Sequence, residues 1–487
     1  MTALEHEVLA TVPKDLLIGG EWRQASTGAS FPVEDPATGE TLCEVADAGV
    51  EDALAALAAA DEAKRAWRAE PARARGELLR RAFALIVERA DELALLMTLE
   101  MGKPVHESRA EIAYGAEFLR WYAEEAVRIS GRFQENPSGP GRILTMREPV
   151  GPCLFITPWN FPLAMGTRKI GPALAAGCTV IVKPASQTPL SMLALGQIFV
   201  EVGVPAGVVN IVCTKRSAAV MEPLLRDPRL RKLSFTGSTE TGRALIERSA
   251  HQILRVSMEL GGNAPFLVFE DADLEAAVAG AVVAKMRNGG EACVAANRFL
   301  VAEGVAERFS AMLAERMSRL VVGRGTDPGV EVGPLIDDVQ RTKVHELVTD
   351  AVERGASVLR AEEPPAGPGY FYAPTVVTAV PPGARLLEEE IFGPVAPVTS
   401  FASEEEAIAE ANRTEYGLAA YVYTRDLGRA FRVIGELETG MVGLNQGMVS
   451  NAAAPFGGVK HSGFGREGGP EGIEEYLETK YVAMTLP

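Results

Sequence analysis

Several things are scarce in this sequence, and each scarcity narrows its function. Five cysteines (Cys43, Cys153, Cys178, Cys213 and Cys293) are scattered over 487 residues without a Cys-x-x-Cys pair. They are too few and too dispersed for a disulfide framework, which fits a reducing, cytoplasmic setting. No apolar run approaches the roughly 18 residues of a membrane span. Met1–Gly20 has no basic segment ahead of an apolar stretch and is not Arg-rich, so neither a secretory signal nor a transit peptide is expected. The histidines, His6, His106, His251, His345 and His461, form no HxH or HxxxH pair, so no metal site is expected. Positive charge is in deficit: the net charge of −17 opposes nucleic-acid binding, because a phosphate backbone recruits Lys/Arg clusters. Small molecules are the expected partners, and a local pair of arginines in a pocket can still receive an anion. There is no internal repeat and no low-complexity segment.

What is present has the composition of a globular protein, 47% hydrophobic and 23% charged. The length is about three times that of a usual domain, so two or three domains are expected. Residues 15–47 read as short strands broken by turns. Glu51–Glu100 and Glu111–Ile129 have apolar residues at helical spacing. Gly131–Pro149 breaks that pattern and then regains a short extended run, as a β-arm would. Four apolar runs follow (VGPCLFITPWN, CTVIVKP, VVNIVC, KLSFTG), separated by helical stretches at roughly 25–30-residue intervals, the pattern of βαβ units around a parallel sheet. A second alternating stretch starts near Ala264, with a helix over Leu274–Arg287. The fold class is therefore α/β, with two α/β domains in succession. The residues at 364–369 mark an exposed loop, and the extended YVAMTLP tail is able to pair with another chain's sheet edge.

Taken singly, the candidate motifs are weak. Phe235–Gly242 (FTGSTETG) is a strand end, a Gly/Ser/Thr turn and a helix start; it suits a phosphate, but equally an ordinary capped helix. Lys183 closes a strand at the edge where open α/β sheets bind nucleotides, or is a surface lysine with its stem along apolar neighbours. Cys293, in Gly290-Glu-Ala-Cys-Val294, is either a small buried hydrophobe or a nucleophile. A helix N-terminus following it would lower its pKa. Glu259 stands between apolar residues and a Gly-Gly turn, where burial would raise its pKa into a general base's range; the alternative is a salt-bridged structural Glu.

The ordered set is far more specific: Pro158-Trp-Asn-Phe-Pro162, VKPAS, FTGSTETG, MELGGNAP, GGEACVAANR, Glu389-Glu-Ile-Phe-Gly-Pro394 and PFGGVKHSG. Over essentially the whole chain it resembles the aldehyde dehydrogenase superfamily. That resemblance implies a Rossmann-type cofactor domain (1–131 and 150–259), a catalytic α/β domain (260–470) and an oligomerisation arm (132–149 and 471–487). It also implies a homodimer or a dimer of dimers. By similarity Cys293 is the nucleophile, Glu259 the general base, and the Asn160 amide with the Cys293 N–H the oxyanion hole. Thr157, Trp159, Lys183, Pro184, Ala185, Ser186, Gly237, Ser238, Leu260, Glu390 and Phe392 carry over as contacts to NADP or NAD. Ser186 stands where NAD-specific relatives usually have a Glu whose charge would repel a 2′-phosphate, so NADP is expected to be accepted. Cys213-Thr-Lys-Arg-Ser217 departs from the family's Gly-containing turn and puts two cations near the expected cofactor edge.

Within the superfamily the sequence is most similar to the succinate-semialdehyde dehydrogenases, through NFPLAMGTRK, KMRNGG and MVSN. Arg168, Arg287 and Ser450 match positions that hold the substrate's distal carboxylate, and an Arg fork recognises a carboxylate bidentately. Glutarate semialdehyde, one methylene longer, is the alternative substrate, because one CH₂ supplies only ~1–3 kcal/mol of discrimination. Ala295 occupies the position of a second, redox-active cysteine in the human-type relatives, so that switch is expected to be missing. An acylating, CoA-dependent enzyme often lacks the base, and a non-enzymatic derivative would be expected to lose Cys293 or Glu259. Both residues are present.

Overall fold

The computed structural model describes residues 1–360 and 367–485. Of the loop expected at 364–369, residues 364–366 lie outside that description, while Gly367 and Pro368 are exposed. Helical spacing is realised as four helices, Val50–Ala69, Ala72–Glu88, Ala90–Met101 and Val105–Glu125. The last starts earlier than its apolar pattern suggests, because Pro104, which has no N–H to lose, sits at its cap.

The four apolar runs are the strands Cys153–Ile156, Val180–Lys183, Val209–Ile211 and Lys232–Thr236, joined in parallel by Arg255–Glu259. They are buried on both faces, as their continuous apolar character requires. Across the sheet the first strand in the chain lies centrally, with the second and third to one side and the fourth and fifth to the other. The winding direction therefore reverses between Cys153–Ile156 and Lys232–Thr236. In open α/β sheets, ligands bind in the crevice outside the carboxyl ends of the strands at such a reversal. The register fixes what lines the crevice: Ile156 is level with Lys183 and Phe235, and Thr236 is level with Glu259.

A second sheet has Ala264–Val268 flanked by Ala296–Ala302 and Ala419–Tyr423, all parallel, continued by Val395–Phe401 and Thr375–Thr378 on one side and Met441–Leu444 on the other. The chain first crosses between the sheets through Leu260–Asn263, which joins the carboxyl end of Arg255–Glu259 to the amino end of Ala264–Val268. Gly463–Phe464, late in the sequence, returns to pair antiparallel with Met258 and Glu259.

The arm is a three-stranded antiparallel sheet. Arg142–Pro149 lies centrally, with Arg132–Glu135 on one side and Leu477–Met484 on the other over eight paired residues. The tail strand thus pairs along one side with its own arm and forms the edge of that sheet. Phe133, Met146 and Tyr481 stand exposed on the arm. Among the described residues no helix is long and apolar enough to cross a membrane.

Candidate active site

Cys293 lies in a turn closed by a hydrogen bond from Ala295 N to Ala292 O at 2.9 Å, immediately before the strand Ala296–Ala302. No helix follows it, so the acidifying effect a helix N-terminus would have is absent: Asn297 to Ala302 run on as a buried strand. Burial instead pushes the thiol up to about 12, against the opposing pull of the Arg168 charge. Glycine is required opposite this turn, since a Cβ on Gly262 would lie 2.4 Å from the Cys293 carbonyl oxygen.

Glu259 ends its strand as the expected buried carboxylate. Neither of its oxygens has a hydrogen-bond partner. Burial first, and the Glu467 charge second, raise its pKa well above the usual carboxylate range, while Arg168 and Lys169 oppose the shift. These neighbours form a cluster of their own. The Arg168 Nε and the Lys169 ammonium both donate to Glu467, the former at 2.5 Å, and the Arg168 guanidinium lies 3.9 Å over the Phe456 ring. Arg168, expected at the substrate's distal carboxylate, is thus ion-paired inside the protein, although its NH2 nitrogen is buried without a partner.

The loop bearing Asn160 leaves the strand Cys153–Ile156 and is fastened by residues to which the sequence alone gave no role. The Asn160 carbonyl accepts from Lys103 Nζ at 2.8 Å and from Asn288 Nδ2 at 3.0 Å. Lys103 pairs with Glu111 at 2.6 Å, both fully buried, and Glu111 also accepts from the backbone N–H groups of Leu163 and Ala164. The Asn160 amide spends one N–H on the Glu291 carbonyl at 3.0 Å and keeps a second.

The other expected contacts line the same crevice. A cavity of about 220 Å³ is walled by Trp159, Asn160, Glu259, Cys293, Glu390 and Phe392, among others. Ser238 caps the helix Thr239–Ser249, its Oγ accepting from Thr241 N at 3.3 Å. A Cβ on Gly237 would lie 2.4 Å from the Phe235 ring. Thr157 and Thr236 keep buried hydroxyls without partners, and burial brings the Lys183 ammonium down to about 8. Glu390 accepts from Gly262 N at 3.1 Å, and burial pushes its carboxyl up to about 7. Phe392, with a left-handed φ of 57°, meets Trp159 edge-on at 5.3 Å. Pro184 to Ser186 follow Lys183, and Leu260 is tied to Ser462 O at 3.0 Å. These features suit a dinucleotide: a helix N-terminus over a side-chain-free turn for phosphates, buried hydroxyls awaiting partners, and a carboxylate facing a glycine pair. The two cations of Thr214–Arg216 are engaged elsewhere. Arg216 pairs with Asp47 at 3.6 Å, and Lys215 lies 5.8 Å over Phe31.

On the opposite side of Cys293, the Arg287 guanidinium lies 4.8 Å over Phe161 and 5.8 Å over Tyr114, with Ser450 Oγ at 3.4 Å. Arg287 and Ser450 are therefore brought together, and no carboxylate pairs with Arg287 among the described residues. A larger groove of about 900 Å³, lined by Leu300, Leu359, Val380, Arg298 and Glu410 among others, holds no cysteine and no histidine. Asn160, Glu259 and Cys293 line the smaller cavity instead.

Glu467 offers a test of the buried cluster. Burial alone would raise its carboxyl, but the charges of Lys169 and Arg168 outweigh that and hold it at about 2. Its folded pKa is depressed, so the stability it contributes is present above the ordinary carboxylate range near 4 and is lost as pH falls toward about 2. Glu467→Gln leaves two buried cations facing a neutral amide. It is expected to lower stability by about 3–5 kcal/mol in denaturant melts at pH 7; an unchanged midpoint would show that the cluster contributes nothing.

Comparison with known proteins agrees with this geometry. The model of the "Aldehyde dehydrogenase family" matches residues 22–482. The succinate-semialdehyde dehydrogenase of Paenarthrobacter nicotinovorans is 57% identical over 92% of this chain and 99% of its own length. The succinate-semialdehyde dehydrogenase [NADP(+)] GabD of Escherichia coli K12 is 51% identical over 96% and 97%. A glutarate-semialdehyde dehydrogenase of Pseudomonas aeruginosa is 50% identical over 96% of both. Among solved structures, one described as an E. coli NADP dependent enzyme superposes with a TM-score of 0.96 at 50% identity, covering 98% of both chains. By sequence, by fold and by the residues gathered at the sheet reversal, the chain belongs to the aldehyde dehydrogenase family.

Proposed function

We propose that the enzyme oxidises succinate semialdehyde to succinate through a thioester on Cys293, with NADP or NAD as hydride acceptor. The observation that carries the substrate assignment is Arg287. It is a cation without a carboxylate partner, set over two aromatic rings beside Ser450, one turn of chain before the nucleophile. An incoming carboxylate supplies the missing partner. The relatives named for succinate and glutarate semialdehydes support a carboxy-aldehyde, and glutarate semialdehyde is the second substrate that this site accommodates.

The dinucleotide is held by Lys183 and Ser186 at its adenosine ribose, Gly237 and Ser238 at its phosphates, and Glu390 at the nicotinamide ribose. Thr157, Trp159, Pro184, Ala185, Leu260 and Phe392 line its path. When bound, it supplies the acceptor for the hydride that the substrate gives up. NADP is accepted because residue 186 is an uncharged Ser, and the relative named for NADP(+) supports this.

The protein's own groups do the rest. At neutral pH the buried Cys293 keeps its proton, so a base is needed, and Glu259 is poised to be one because its environment favours the protonated form. Once Glu259 has taken the proton, the thiolate sulfur bonds to the aldehyde carbon. The carbonyl oxygen gains negative charge, which the free N–H of Asn160 and the Cys293 backbone N–H receive. Loss of hydride turns the hemithioacetal into a thioester. Glu259 gives its first proton up to solvent and then removes a proton from water, the hydroxide oxygen bonds to the acyl carbon, the C–S bond breaks, the Cys293 thiolate takes that proton back from Glu259, and the carboxylic acid leaves. The arm, with Phe133, Met146 and Tyr481 exposed, supports assembly as a homodimer or homotetramer in the cytoplasm.

Both working groups, Glu259 and Cys293, have raised pKa values, so their basic forms are scarce at low pH and grow as pH rises. kcat/KM is therefore expected to climb steadily from pH 6 to pH 9 in initial-rate assays; a profile that falls over this range would contradict the assignment. Replacing Arg287 by Ala is expected to cut the ratio of kcat/KM for succinate semialdehyde over propanal by roughly 100-fold, the scale set by losing a charged hydrogen-bonding partner. An unchanged ratio would leave the family in place and remove the semialdehyde reading.

A further inference from the structure

Tyr114, on the helix Val105–Glu125, belongs to none of the motifs. Its ring packs with Phe161, Ala164, Met165, Ala292 and Ala295, the apolar shell on either side of the Cys293 turn, and meets Phe118 edge-on at 5.0 Å. The Arg287 guanidinium lies 5.8 Å from its centroid. Its hydroxyl is buried and has no hydrogen-bond partner. A buried hydroxyl left unpaired is a standing cost, and such groups in native structures call for an explanation.

A second orphan donor lies in the same region. The NH2 nitrogen of Arg168 is buried and unpartnered, although the Nε of the same side chain is bound to Glu467. The Arg168 charge is felt by Tyr114 and by Cys293 alike, which sets all three side chains within one electrostatic neighbourhood. Two donors without acceptors thus lie near the nucleophile, the Tyr114 hydroxyl of a ring beside Arg287 and the Arg168 NH2 nitrogen, and an anion would supply the acceptor they lack. A carboxylate offers about four lone-pair sites, more than one guanidinium fork and one serine can use.

We propose that the Tyr114 hydroxyl is a specificity determinant that donates a hydrogen bond to the distal carboxylate of the substrate, beside Arg287 and Ser450. This rests on the carboxy-aldehyde reading given above. A substrate ending in a methyl group would bury the same hydroxyl with nothing to bond, so Tyr114 selects for an anionic end as well as against a neutral one.

The test compares wild type and Tyr114→Phe, which keeps the ring, using succinate semialdehyde and propanal as aldehydes and succinate as a competitive inhibitor. The expected result is a fall of about 10-fold or more in the kcat/KM ratio of succinate semialdehyde over propanal, carried by KM, with succinate inhibition weakened by a similar factor. A merely structural role would move both aldehydes together and leave the ratio where it was, which would overturn the proposal. A wild type that already fails to prefer succinate semialdehyde would overturn the carboxy-aldehyde reading and this inference with it. A wild-type preference that survives in Tyr114→Phe would overturn the Tyr114 assignment alone.

Discussion

The crossing at Leu260–Asn263 is the constraint on which the site depends, because four residues must carry the chain from one sheet to the other while standing between the acid and the thiol. Each is tied. Leu260 N bonds to Ser462 O, Gly262 N to Glu390, and Asn263 Nδ2 to the Leu387 carbonyl, while the Asn263 carbonyl receives the buried Arg298. The two glycines leave no space to spare: a Cβ on Gly261 would lie 2.8 Å from a Glu390 oxygen, and one on Gly262 would meet the Cys293 carbonyl. Glu259 therefore arrives on one side of the crossing and Cys293 on the other with little freedom between them. That is the preorganisation a covalent mechanism with a shared base requires.

Around that crossing the protein accepts an unusual density of buried charge. Lys103 with Glu111 fastens the oxyanion loop, and Glu467 with Arg168 and Lys169 sets the field at Glu259. Lys285, brought down to about 7 by burial, holds the Gly393 carbonyl under the Glu390 loop. Charges removed from water cost more than their pairing returns in most settings. Their concentration here is explained by function: they hold polar loops in one arrangement, and the Arg168 and Lys169 charges temper the rise that burial gives to the Glu259 carboxyl.

The sequence made much of this legible, and where it did not the reasons are physical. The parallel strands were readable because burial on both faces demands unbroken apolar runs, and their ends carry the residues that the family's motifs single out. The turn at Cys293 was left open between a nucleophile and a buried hydrophobe, because nothing in Gly290–Val294 alone decides between them. The ion pair of Arg168 was not foreseen because its partner, Glu467, lies 299 residues away in the chain. Lys103, Glu111 and Tyr114 were missed for the same reason. They act through long-range contacts, and nothing in their immediate neighbours marks them as different from ordinary helix or loop residues.

The central claim is that acyl transfer passes through sulfur at position 293 and that Glu259 releases the product. It is tested most directly by mixing Glu259→Gln with succinate semialdehyde and NADP, quenching in acid, and mapping the peptides by mass spectrometry. The account predicts an acyl adduct on Cys293, at no more than one per chain, that is absent when Cys293→Ala is treated in the same way. An adduct on any other residue, or a Cys293→Ala protein that reduces NADP at the wild-type rate, would contradict it.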